Sequence, residues 1–173
     1  MKSTRIILIA LLMFFGQLLS AQQSKNPWEK WNYLIGEWVG EHTGKPGSGD
    51  GKFSFQKDLD GKILVRKSRT VFPASTSSPE LIHDDLMIIY QNGSDNPQEA
   101  IYFDNEGHTI KYKVSYTDKS IILTSDIISN TPRFRYTYTA IDDKTVNGSF
   151  EMASPQAPDD FKMYLEGKAY KVK

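Results

Sequence analysis

The chain has no cysteine. That excludes a disulfide framework, a thiolate metal site and lipid attachment through an N-terminal Cys, so stability has to come from a buried core. Histidine is scarce: His42, His83 and His108 are the whole supply, and no two stand at the i, i+2 or i, i+4 spacing of a zinc site. Neither charge is in excess, with 21 basic and 21 acidic side chains. A nucleic-acid-binding domain needs a clustered positive field, and so does an electrostatic membrane binder; both classes are disfavoured. No Gly-x-Ser-x-Gly nucleophile motif occurs, and Asp84 and Asp85 are adjacent, so on a strand they point to opposite faces and cannot act as paired carboxylates. The expectation is a protein that is not an enzyme.

What is present begins with an export signal. Lys2 and Arg5 precede an apolar run from Ile6 to Phe15, and Leu19-Ser20-Ala21 ends in a small residue suited to cleavage. The run is short for a membrane span. Residues 1–21 read as a signal peptide, and residues 22–173 as a single soluble domain, periplasmic or secreted, with no membrane anchor in the mature form. Losing Lys2 and Arg5, and no acid, leaves the remainder slightly acidic.

The domain opens on a short apolar segment. Pro27-Trp28 suits the first turn of a helix, and Trp28, Trp31, Tyr33, Leu34 and Ile35 give a broad apolar face that ends at Gly36. After it the period becomes two. Trp38, Gly40 and His42 alternate with Glu37, Val39 and Glu41. Phe134, Tyr136 and Tyr138 alternate with Arg133, Arg135 and Thr137. Phe161, Met163, Leu165, Gly167 and Ala169 share one face of the last strand. The segments Ile63–Phe72 and Leu81–Gln91 are more apolar, as strands buried on both faces would be. Short polar connectors such as 58–61, 104–107 and 142–144 are hairpin material and force antiparallel neighbours. The fold expected is all-β: an antiparallel up-and-down barrel of about ten strands with a short N-terminal helix. A two-sheet sandwich would need Greek-key crossovers that this near-continuous meander does not call for.

Gly36-Glu37-Trp38-Val39-Gly40, with a helix before it and a glycine-rich turn after it, resembles the start of calycin-type, lipocalin-like barrels. Among these the chain is most similar to the nitrobindin-like and fatty-acid-binding-protein-like ten-stranded group, and to small bacterial exported proteins of lipocalin-like type. The resemblance implies a container with a functional interior. Glu80-Leu81-Ile82-His83-Asp84 is similar in placement to a histidine-bearing strand of the nitrobindin-like proteins, which hold haem through a histidine near the C-terminal strands. Here no histidine follows His108. No haem and no other cofactor is therefore expected.

The function read from these residues is the binding or carriage of a small, mostly apolar molecule. Trp38, His42, Phe53, Phe55, Tyr112, Tyr136, Tyr138, Phe150 and Met163 are the candidate ligand-binding residues, aromatic and methionine side chains that suit an adaptable apolar cavity. Val114 and Leu165 share the same inner wall. The alternative is an interaction or envelope-structural module with a filled core and no ligand. The glycine-rich run Gly44–Gly51 is not a phosphate loop: Pro46 stands where the first glycine should be and Phe53 where a Ser or Thr should be. Fatty-acid carriers hold a carboxylate with an internal arginine and tyrosine. Arg133 and Arg135 take the face opposite the tyrosines and would point to solvent. Arg66 and Arg69 carry the same ambiguity, since they too lie on opposite faces of their strand.

Overall fold

A computed structural model describes residues 26–41, 50–76 and 78–172. The expected signal peptide, His42 and most of the glycine-rich run lie outside the described residues. The segment before the first strand does not form an α-helix. It forms a 3-10 turn, Glu29–Trp31, continued by i→i−3 bonds from Trp31 N to Trp28 O and from Leu34 N to Trp31 O, both 2.9 Å. Between Pro27 and Gly36 there is little room for the costly nucleus of an α-helix. A three-residue period also suits these side chains better: it puts Trp28, Trp31 and Leu34 on one face, and all three are buried.

Ten strands follow: β1 Gly36–Gly40, β2 Asp50–Asp58, β3 Ile63–Phe72, β4 Leu81–Tyr90, β5 Glu99–Asp104, β6 Thr109–Tyr116, β7 Ser120–Ser125, β8 Arg133–Asp142, β9 Thr145–Ala153 and β10 Lys162–Lys171. Each pairs antiparallel with its neighbour in sequence, and β1 pairs with β10 to close the barrel. All-β, up-and-down and ten-stranded, the architecture is as expected, and it is compatible with a calycin-like barrel.

One end of the barrel is sealed. Trp28 Nε1 donates to Gly61 O in the β2–β3 turn at 2.7 Å, Trp31 Nε1 to the Tyr116 hydroxyl at 2.9 Å, and the Tyr33 hydroxyl to Tyr138 O at 3.1 Å. The 3-10 turn is thus tied to three hairpins that meet at this end. Gly36, with φ of 129°, makes the turn from this plug into β1, a conformation that a residue with a Cβ rarely adopts. Trp38 is 1% exposed, donates from Nε1 to Leu34 O at 2.8 Å and stacks on Phe53 with ring centres 6.0 Å apart. With Trp31, Phe55, Leu64, Ile89, Leu123 and Tyr138 it forms the packed floor.

Two expectations about strand faces fail. The pairing of β9 with β10 shifts between Met163 and Leu165. Met163 therefore lies opposite Glu151, an outward residue, and is 54% exposed. Beyond the bulge, Leu165 lies opposite the inward Phe150. Phe161 is displaced with Met163 and lies against the outward arginines, its ring 4.2 Å from Arg135 Cζ. The second failure concerns β3 and β4. Their inner faces are in the core, but no described element packs on their outer faces. Val65, Ile88 and Ile101 meet side by side there, as do Leu86 and Phe103.

Candidate functional site

Exposure of the inward residues changes along the barrel axis. Phe55, Leu64, Ile89 and Leu123 are fully buried at the sealed end. Nearer the other end, Phe53, Tyr102, Ile110, Phe134 and Tyr136 are only partly buried. At that rim Leu165 is 59% exposed although its register with Phe150 turns it inward. The interior is therefore packed at one end and open at the other.

The candidate residues divide along this gradient. Trp38, Phe55, Tyr112 and Tyr138 belong to the buried core. Phe53, Tyr136 and Phe150 line the more open half. Phe150 stacks on Phe134 with centres 5.7 Å apart and lies 6.0 Å from Tyr136. Met163 is outside the wall, as described, and His42 is outside the described residues. Two glycines face each other across β9 and β10 in this half. A Cβ on Gly148 would stand 3.2 Å from the Tyr136 hydroxyl, which packs on the bare backbone. A Cβ on Gly167 would meet nothing within 4 Å, and the glycine itself is exposed, so this part of the wall stands open to water.

A polar cluster lies inside the barrel, assembled from residues of β3, β4 and β5. Arg66 turns inward and pairs through Nη1 with Asp85 Oδ1, the side chains being 8% and 7% exposed. Arg69 turns outward and makes two 2.7 Å hydrogen bonds to Asp84. Two adjacent acids thus serve two arginines, one pair on each face of the sheet. Burial by itself disfavours the Arg66 charge, but Tyr138 and Asp85, with Tyr136 and Tyr102, outweigh it and raise its pKa. The guanidinium lies over aromatic faces, its Cζ 5.5 Å from the Phe53 ring centre and 5.7 Å from that of Tyr136.

Towards the rim the cluster continues. His83 Nε2 is 3.1 Å from the Tyr102 hydroxyl and 3.8 Å from Asp85 Oδ2, while Nδ1 is 3.0 Å from Glu106 Oε1. The Tyr102 hydroxyl donates to Asp104 Oδ2 at 3.2 Å, and His108 Nδ1 lies 2.9 Å from the same oxygen. Burial pushes the Tyr102 and Tyr112 hydroxyls up, so both stay protonated donors. Among the described residues no group of three or more His, Cys, Asp or Glu side chains could hold a metal ion. Arg133 and Arg135 face outward, as their alternation with the tyrosines required; Arg135 makes two 2.7 Å bonds to Glu151.

The outer wall carries a second feature. A groove of about 790 Å³ crosses the outside of β1 to β5, with Val39, Lys52, Arg69 and Asp84 along one side and Glu37, Ser54, Lys67, Leu86 and Phe103 along the other. Leu86 and Phe103 join it to the uncovered apolar stripe of β3–β5. Alternating strands would put polar residues at these places, so the stripe is the less ordinary observation. No protein-family model matches the chain, and no curated protein shows a significant match to it.

Proposed function

We propose that this protein is an exported barrel that binds a small, mostly apolar molecule in the open half of its interior. The observation that carries the reading is the open inner face at Gly167, bordered by Phe150 and by the exposed, inward Leu165. Apolar wall left open to water at this end is surface that an apolar molecule would cover. The reading requires no cofactor and no reaction step: inside the barrel, Arg66, Asp85, His83 and Tyr102 are engaged with one another. Titration with the apolar dye Nile red tests it. Saturable one-to-one binding is expected, and Gly167→Leu should abolish it while leaving the unfolding midpoint unchanged. Undiminished binding to Gly167→Leu would place the dye elsewhere.

A second reading, an interaction module, is favoured by the outer groove. Lys52 and Lys67 make no ion pair among the described residues, and they stand beside Leu86 and Phe103. An extended segment of another protein with apolar and acidic side chains would satisfy both features. A photo-cross-linking residue at Phe103 should then capture one partner in the native organism, and the double variant Lys52→Glu, Lys67→Glu should lose it. A cross-link to a second copy of this chain would replace that reading with self-association.

A further inference from the structure

Strand direction fixes which connectors stand at which end. β1 leaves the plug, so it runs from the sealed end to the open one, and each later strand reverses. The β3–β4, β7–β8 and β9–β10 connectors therefore all lie at the open end. The apolar side chains left in water gather there. Of the thirteen large apolar residues that are exposed among the described residues, seven stand on or beside these three connectors. Leu81 and Ile82 begin β4, and Ile127 and Ile128 lie on the β7–β8 connector. Met163, Tyr164 and Leu165 lie near the start of β10. The sealed end carries two, Leu59 and Ile141. Single exposed apolar residues are ordinary, but a set gathered at one end marks a contact surface.

We propose that this crown rests on a lipid bilayer, with the mouth of the barrel facing the membrane and the apolar tips in its interfacial layer. The placement favours a bilayer over a protein. The three groups are set apart around the mouth by the intervening strands, and a hydrocarbon phase accepts apolar side chains from any direction. Tyr164 suits the head-group level, where an amphipathic ring keeps its hydroxyl wet. Only side chains enter. The irregular connectors need water for their backbone groups, so the contact stays shallow. Charge does not drive it. The basic rim residues Arg133 and Lys162 are paired with the acids Asp159 and Asp160, and the β5–β6 turn adds Glu106. The described part of the rim thus offers no positive field to anionic head groups. Docking needs no ligand. Joined to the interior-binding reading, it would let an apolar molecule pass between bilayer and barrel without crossing water.

Flotation of the mature chain with phosphatidylcholine vesicles, without dye or ligand, tests the proposal. The chain is expected to float with them, and equally with vesicles that also contain phosphatidylglycerol. The double variant Ile127→Ser, Ile128→Ser should weaken the partition about tenfold, as expected when two isoleucines that were partly inserted no longer leave water. The double variant Leu59→Ser, Ile141→Ser removes as many exposed apolar side chains from the sealed end and should change nothing. All four residues are exposed, so both variants should keep the wild-type unfolding midpoint. Protein that stays in solution would overturn the proposal. Flotation with the anionic vesicles alone would overturn it too, since that is attraction by charge. Two variants that behave alike would mean an unoriented apolar contact and no docking of the mouth. A wild-type dimer in sedimentation that Ile127→Ser, Ile128→Ser dissociates would give the crown to a second copy of the chain. With no ligand present, none of these results bears on the interior-binding reading, which its own titration decides.

Discussion

Arg66 and Asp85 meet diagonally across β3 and β4: Arg66 lies opposite Met87 and Asp85 opposite Ser68, and the long guanidinium spans the offset. The pair is the only acid–arginine contact among the described residues in which both side chains are less than 10% exposed. Removing one partner leaves a buried charge alone. Asp85→Asn should therefore destabilise the protein by about 3–5 kcal/mol. The double variant Arg66→Met, Asp85→Leu should recover most of that loss, since a well-packed apolar pair of similar volume can replace a buried ion pair. Urea unfolding of the two proteins gives the comparison; a mild effect of Asp85→Asn would mean that water reaches the guanidinium.

Trp38 ties the plug to the barrel. Its ring stacks on Phe53, its Nε1 bonds to Leu34 O and the Lys171 ammonium lies 5.2 Å from the ring centre. Trp38→Ala should cost about 3–5 kcal/mol, the range for deleting a buried aromatic side chain. Thermal unfolding reads this directly, and an unchanged midpoint would mean that the ring contributes no packing.

Gly36 is required by its backbone angle. With φ of 129° it turns the chain from the 3-10 segment into β1. Gly36→Ala should destabilise by more than about 1 kcal/mol, because the native conformation is strained for any residue with a Cβ. Gly167→Ala, whose added methyl meets nothing, is the control and should leave the unfolding midpoint in place.

The acid limb of stability should depend on Glu151. Its two bonds from Arg135 hold the carboxyl below its ordinary value of 4.5. A carboxyl with a lowered folded-state pKa contributes stability that is complete above its unfolded value and lost as pH falls through the folded value. Arg135→Gln should narrow the difference in urea midpoint between about pH 6 and about pH 3, the span across which carboxylates titrate. Arg135 is partly exposed, so the effect should be small and should shrink in high salt. An unaltered acid limb in this variant would show that the pair does not contribute.

The barrel was legible in the sequence because its code is local. Alternation sets which side chains share a face, and short polar connectors make neighbours antiparallel; both can be read without distant contacts. The inward aromatic residues of β2, β6 and β8 and the outward Arg133 and Arg135 follow from period two alone. The opposed faces of Asp84 and Asp85, and of Arg66 and Arg69, follow in the same way. What alternation leaves open is phase and partnership. The bulge at Tyr164 moves Met163 out of the wall, and a single inserted residue in a pleat leaves no clear trace in composition. The 3-10 turn was hidden because an apolar face can be read with a period of three or of 3.6 over so short a stretch. The apolar outer residues of β3 and β4 resemble those of doubly buried strands, and only the absence of a described covering element distinguishes them. The Arg66–Asp85 pair and the aromatic faces around it lay furthest from view. They depend on β3, β4 and β8 being brought around one interior, and closing the barrel is a property of all ten strands together. Side-chain direction was thus determined locally by the chain wherever the pleat runs unbroken, whereas the bulge in β10 and the identity of each side chain's neighbour were decided by the closed barrel.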